Sequence, residues 1–191
     1  DPNGVAEYLF PDEVAWDRLT IEPTTEMLAP RLELICFGSL AQRSQHSRAV
    51  IHRFLASLPI EAPKIFDLNI RQNFYSREII RDSLTQADIL KLNDDEIELL
   101  SRLEDLIGSP ERRLAILVER YRLALGVLTR GEGGSLLVSP TEVSDHPGFQ
   151  AEVVDTIGAG DSFTAVIGMG MLKGDPLERI NEHANRVAAH V

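Results

Sequence analysis

Cysteine is nearly absent from the sequence. Cys36 is the only one in 191 residues, which excludes an intrachain disulfide and fits a reducing, cytoplasmic setting. No uninterrupted apolar stretch of about 18 residues occurs, so no transmembrane helix is expected. The N-terminus lacks the basic-then-apolar layout of a secretory signal. Positive charge is scarce: 19 Lys and Arg stand against 30 Asp and Glu, a net charge of -11. That balance argues against binding a nucleic-acid backbone as the main task. The five histidines, at 46, 52, 146, 183 and 190, have no metal-ligand spacing and read as surface or packing residues. There is also no initiator Met. The chain opens on Asp1-Pro-Asn-Gly4, which reads as a turn, and closes on Ala184–Val191 with no helix terminator. Sequence is therefore expected to be missing at both ends.

What is present is ordinary globular composition, 43% hydrophobic and 26% charged, in a chain long enough for one cored domain. Short apolar runs predict strands at Val5–Phe10, Leu32–Phe37, Lys64–Leu68, Ile89–Leu92, Leu123–Leu128 and Ala151–Val154. Gly134–Val138 pairs with the Leu123–Leu128 strand or with Thr141–Ser144. Helical spacing covers Ala41–Leu58, Ser76–Gln86 with Ser76 as cap, Asn93–Leu103, Pro110–Arg120 and Ala159–Leu172, where Gly174 closes the last. Asp175-Pro176 can start another helix. Alternating strands and helices imply an α/β fold with a mainly parallel sheet covered on both faces. Ligands in such sheets sit beyond the carboxyl ends of the strands. Polar clusters fall at those ends: Asn69 to Arg71, Asn93 to Glu96, Thr129 to Gly134 and Asp155 to Asp161.

The last cluster carries the most chemistry. A strand runs into Gly158-Ala-Gly160 and a long apolar helix follows at once. Glycines allow a sharp turn and close approach of a ligand. The first helical N–H groups lack internal partners and point outward with the positive end of the helix dipole, a backbone-built anion site. Asp161 in the first turn can accept the proton of an attacking hydroxyl while those N–H groups stabilise a transferring phosphoryl group. The plainer alternative is a tight turn with Asp161 as a helix cap. No G-x-x-x-x-G-K-[ST] occurs, and Phe163 stands where a dinucleotide fingerprint needs its third glycine. Glu104-Asp105 and Asp94-Asp95 read as solvated faces rather than paired catalytic acids.

Asp155-Thr-Ile-Gly-Ala-Gly-Asp-Ser-Phe163 resembles the C-terminal signature D-T-x-G-A-G-D-x-F of the ribokinase-like (PfkB) carbohydrate kinases, at every fixed position. The resemblance implies ATP-dependent phosphorylation of a sugar hydroxyl in a three-layer sandwich. Asp161 would be the base, and the amides of Gly158, Ala159 and Gly160 the anion hole. Asp155 would help hold a monovalent cation such as K+. Phe66-Asp-Leu-Asn-Ile-Arg71 resembles the family's D-x-N-x-R segment, implying substrate contacts from Asn69 and Arg71, the latter with a rigid fork for oxygen ligands. Asn93-Asp-Asp-Glu96 resembles N-x-x-E, which arranges Mg2+ and its waters around the phosphates. The same residues also spell a helix capping box. Thr129, Gly131 and Gly134 fill the fixed places of a nucleotide-contacting T-x-G-x-x-G, and Asn185 resembles the nucleotide-side asparagine. Apart from the resemblance, Thr129–Gly134 is a glycine turn and Asn185 a helix-surface residue.

The resemblance covers only the later part of the family pattern. Residues 1–10 would be a remnant of the lid and 11–191 the C-terminal part of the kinase domain, with the N-terminal region and the rest of the lid missing. Fructokinase-type members are the nearest in pattern. Keto-deoxy-gluconate, ribose and nucleoside kinases, or a catalytically silent sugar- or nucleotide-binding member, are the alternatives. The implied partners are a sugar and ATP, with a homodimer allowed for the full-length protein and neither nucleic acid nor membrane involved. Such a segment would leave a sheet edge and core surface uncovered. The 191-residue segment alone is therefore expected to be lost as soluble monomer in sizing chromatography. A clean, cooperative melt of that segment would contradict the expectation.

Overall fold

A computed structural model describes residues 10–150 and 158–190. The expected strand at Ala151–Val154, and all of Val5–Phe10 except Phe10, lie outside the described residues. The elements are α1 (Pro23–Leu28), β1 (Ile35–Gly38), α2 (Gln45–Ala56), β2 (Lys64–Asp67), α3 (Arg77–Gln86), β3 (Ile89–Asn93), α4 (Asp94–Glu104), α5 (Pro110–Tyr121), β4 (Leu125–Thr129), β5 (Ser135–Val138), β6 (Val143–His146), α6 (Ala159–Lys173) and α7 (Leu177–Ala188). Among the described residues the six strands form one sheet in sequence order. β1 to β4 are parallel, while β5 runs antiparallel to β4 and β6 to β5. The expected hairpin strand thus pairs on both sides. β1 has a described neighbour on one side only.

Two-residue periodicity sorts each strand's side chains into two cores. Phe66, Leu90, Leu92, Leu128, Leu136 and Val138 face α3, α4 and α5, which contribute Ile80, Leu84, Ile97, Leu100, Leu114 and Leu117. Ile65, Ile89, Leu125, Val127 and Leu137 face Phe163 and Ile167 of α6 and Leu177, Ile180 and Ala184 of α7. This is the expected three-layer α/β arrangement. Each large apolar side chain so buried contributes about 1.5–3 kcal/mol. No described helix is long and apolar enough to cross a membrane.

Side-chain caps set several helix starts. Ser76 Oγ accepts from Ile79 N at 3.1 Å and Ser109 Oγ from Arg112 N at 3.2 Å. The helix expected over Ala41–Leu58 is divided instead. Leu40–Arg43 is a 3-10 turn, and Ser44 is extended and caps α2. Gln42 holds that turn in place by donating to Gly38 O at 2.8 Å and Ser83 Oγ at 2.9 Å. β1 starts at Ile35 rather than Leu32, because Ala29–Arg31 forms a 3-10 turn around Pro30 that Leu32 closes. Sequence periodicity also missed the short turns before β1. Residues 10–17 there are tied down by Arg43, whose guanidinium pairs with Asp17 at 2.7 Å and lies over the Phe74 ring at 4.2 Å.

One reading is corrected. Asp94, Asp95 and Asp105 are exposed as expected, but Glu104 is not on a solvated face. Its side chain is 2% exposed and accepts from Arg81 Nε at 2.7 Å, Tyr121 Oη at 2.9 Å and Arg120 Nη1 at 3.1 Å. The partners come from α3 and α5, so no local pattern around Glu104 announces them. Burial alone would push its carboxyl up, but these donors outweigh burial and hold it below its ordinary 4.5. A lowered folded value means the stabilisation is complete above the unfolded value and is lost as pH falls through the folded one. Glu104→Gln should therefore melt below the wild type at neutral pH. The gap should narrow as pH drops below about 4.5 in thermal denaturation. A gap independent of pH would remove Glu104 as a titrating support.

Candidate functional site

Parallel register brings the carboxyl ends of four strands to one edge. Gly38 is paired with Asp67, Asp67 with Lys91, and Asn93 with Thr129. Every polar cluster read from the sequence and described in the structure leaves this edge, apart from the start of α6, which packs over it.

Gly158 is the N-cap of α6 in a left-handed conformation, φ 87°, that glycine adopts without strain. The first intrahelical bond is Ser162 N to Gly158 O at 2.9 Å, so the N–H groups of Ala159, Gly160 and Asp161 precede it. Asp161 is exposed in the first turn, and among the described residues its carboxylate accepts no hydrogen bond. The capping alternative for Asp161 therefore has no bond to support it. Asp155 lies outside the described residues.

Asn93 and Glu96 form the expected capping box: Asn93 Oδ1 accepts from Glu96 N and Glu96 Oε2 from Asn93 N, both at 2.9 Å. Glu96 does more. Its other oxygen accepts from Ile70 N at 2.7 Å, which ties the loop after β2 to the end of β3. The side chain is buried, and burial raises its carboxyl above the ordinary range against the two backbone donors and the nearby Lys91 charge. Asn69 has φ 41°, a left-handed value that asparagine tolerates better than most residues. Arg71 is exposed beyond it. Thr129 Oγ1 reaches toward Leu92 O at 3.4 Å, and Arg130 is close enough to Asp94 for its charge to act on that carboxyl. Gly131 is exposed at the loop tip, φ 52°. Gly134 has φ 76°, and a Cβ there would stand 2.1 Å from His146 O, so no other residue fits without moving the hairpin.

Asn185 is not on a helix surface. It is buried, and its amide nitrogen donates to Ser135 Oγ at 2.7 Å and to Asn181 O at 2.8 Å. The contacts hold α7 against the strand that follows the glycine turn. Distant partners cause this burial, and α7's own sequence does not announce them. Two further residues, Lys91 and Thr164, escaped sequence reasoning, and Asp67 enters it only as the first position of its motif. Lys91, Asp67 and Thr164 form a buried chain beneath α6: Lys91 Nζ donates to Asp67 Oδ1 at 3.1 Å, and Thr164 Oγ1 lies 3.1 Å from Asp67 Oδ2 and 2.9 Å from Gly160 O. Burial raises the Asp67 carboxyl, and the charge of Asp161 adds to it, while Lys91 opposes both. Only the alternation of β3, which sends Lys91 to the α6 side, could have flagged it.

Stations 91, 67 and 160 are thus linked in one polar layer at the start of α6, and Glu96 lies near enough for the Lys91 charge to act on its carboxyl. The layer can bind an anion on backbone amides and hold a carboxylate beside it. It does not form a metal cage: among the described residues no three His, Cys, Asp or Glu side chains converge, and both Glu96 oxygens already hold main chain. An apolar cavity of about 460 Å³ opens beside β1, walled by Trp16, Phe37, Phe54 and Leu55 with Ser39 and Asn69 also on its lining. Its walls suit apolar groups, not a polyol.

The family described as "pfkB family carbohydrate kinase" matches residues 38–191. A protein named as a sugar kinase in Pyrococcus horikoshii is 26% identical over 190 residues, covering 95% of this chain and 57% of its own length. A fructokinase of Klebsiella pneumoniae is 29% identical over 142 residues, covering 71% of this chain and 44% of its own. The crystal structure of the Pyrococcus sugar kinase in complex with ATP superposes with a TM-score of 0.80 at 24% identity, over 97% of this chain and 60% of that one. A Vibrio cholerae fructokinase bound to fructose, ADP and calcium gives 0.71 at 23% identity, over 83% and 54%. The chain thus spans about half the length of the relatives it matches.

Glu96→Ala would leave the N–H groups of Ile70 and Asn93 without their acceptor at two strand ends. A stability loss of about 2–4 kcal/mol is expected from the denaturant midpoint, at unchanged slope. A midpoint equal to the wild type would mean that water replaces the carboxylate freely.

Proposed function

The chain belongs to the pfkB family of carbohydrate kinases, and from that premise we propose that it carries the phosphoryl-transfer half of an ATP-dependent sugar kinase, fructokinase-like in its preference. The observation that carries the reading is Asp161, exposed in the first turn of α6 and without a hydrogen bond among the described residues, beside N–H groups that have no helical acceptor. The likeness of solved kinases supports the fold. The fructokinases among the relatives, at 29% identity for the Klebsiella protein, favour the sugar.

In this reading the sugar hydroxyl gives its proton to Asp161 as its oxygen attacks the γ-phosphorus. The bond from that phosphorus to the bridging oxygen breaks, and ADP leaves with the electron pair. Backbone N–H groups of Gly158, Ala159 and Gly160 are fixed before reaction, so stabilising the developing charge requires little reorganisation. Thr129, Gly131 and Gly134 contact the nucleotide from the β4–β5 turn, which Asn185 braces from behind through Ser135. Asn69 and Arg71 meet the sugar side. Mg2+ would screen the phosphate charges, and Asn93 and Glu96 fit it only through its waters, since Glu96 is already committed to two backbone donors. Asp155 is assigned to a monovalent cation on its motif position alone.

The test is ADP release over a panel of sugars and nucleosides, using the protein with any natural flanking sequence, beside Asp161→Asn. Fructose is expected to turn over best. The variant should lose turnover by orders of magnitude with nucleotide binding largely kept. Unchanged turnover would remove Asp161 from the mechanism, and no ADP release with any acceptor would favour a silent binding member.

A further inference from the structure

Lys91 is a lysine in the wrong place for a soluble protein's interior. It lies in the middle of a parallel sheet, 8% exposed, between Leu90 and Leu92. Unpaired, such a charge would be strongly unfavourable, and even paired it is often no better than well-packed apolar residues. Stability therefore does not explain it, and its location suggests what does. The alternation of β3 turns it away from the α3–α5 core and toward α6. A Cβ built on Gly160 would stand 3.5 Å from its Nζ, so the ammonium lies directly beneath the middle residue of the Gly158–Gly160 turn. Asp67, its register partner on β2, fixes it at 3.1 Å. Thr164, one turn along α6 from Gly160, closes the arrangement on Asp67 Oδ2 and Gly160 O.

We propose that Lys91 is a positioning residue for phosphoryl transfer: the Lys91–Asp67 pair, tied to α6 through Thr164, fixes the first turn of that helix from below and presents its ammonium end behind the backbone amides that receive the transferring group. This rests on the kinase reading above. The helix dipole supplies only about half a unit charge at its N-terminus, and Asp161 opposes it there. The Lys91–Asp67 pair is a dipole whose ammonium end is the one nearest Gly160, and in a poorly solvated layer, already oriented, it strengthens the field at that turn. Lys91 touches no reacting atom; it acts through Gly160. Binding energy for ATP and sugar comes from other loops, so the effect belongs in turnover rather than affinity.

Four variants separate the possibilities, in the protein with any natural flanking sequence and with melting followed alongside. Lys91→Met and the neutral double variant Asp67→Asn/Lys91→Met should each lose kcat roughly tenfold to hundredfold, with KM for ATP and sugar within about threefold. The double variant removes the ammonium without leaving Asp67 unpaired, so a recovered wild-type kcat would show that Lys91 serves only to neutralise Asp67 and would overturn the proposal. A raised KM at unchanged kcat would overturn it as well. Thr164→Val keeps the branched shape and cuts only the tie from α6. It should lower kcat at constant KM, and wild-type kcat there would overturn the proposal even if the double variant failed to fold. Asp161→Asn is the fourth arm. If it is inactive while the Lys91 variants are normal, only this proposal falls; if it is fully active, the kinase reading falls with it.

Discussion

The in-register parallel pairing of β1 to β4 is the constraint on which the rest depends. It places Gly38, Asp67, Asn93 and Thr129 at one edge of the sheet, so residues up to 91 positions apart in sequence become neighbours at strand ends. Because the side-chain period is two, the same pairing assigns each strand residue to one helix layer or the other. A one-residue slip of β3 would turn Lys91 into the α3–α5 core and Leu92 toward α6. The register thus decides both which apolar groups meet and which charges lie beneath the start of α6.

Two kinds of polar interaction stabilise that edge, and they differ in what the sequence discloses. Caps are local. Ser76 and Asn93 are readable because acceptor and donor lie three residues apart, and both bonds form as the spacing predicts. Glu96 is half readable. Its bond to Asn93 N belongs to the capping box, but its second bond, to Ile70 N, depends on where β2 ends relative to β3. The spacing rule says nothing about that partner.

Nonlocal partners account for the misses. Glu104 follows the polar face of α4, yet Arg81, Arg120 and Tyr121 converge on it from two other helices. Asn185 lies on a helix whose polar residues mostly face outward, yet Ser135 from a strand fifty positions earlier draws it inward. Lys91 reads as an interruption in an apolar run until Asp67 is placed opposite it. In each case one member of a polar pair is visible in the sequence and the other is fixed only by topology. The strand–helix alternation was legible because burial on both faces writes it into composition, and the Gly158–Asp161 turn was legible because its chemistry is contiguous.

The charge distribution turns on the same distinction. The chain carries a net charge of -11, yet the described side chains beneath the start of α6 include a buried cation, Lys91, paired one to one with Asp67. An acidic surface repels polyphosphates at long range, but over more than about 8–10 Å salt screens it. In the proposed reading, what an approaching phosphate meets at short range is the turn itself: N–H groups ahead of the first intrahelical bond, the end of a helix dipole and a buried ammonium beneath them. A basic surface would attract nucleotides and nucleic acids alike, whereas a positive potential confined to a few backbone donors favours a single phosphoryl group. The acidic composition and the anion site proposed at the turn are therefore compatible, because they act at different distances.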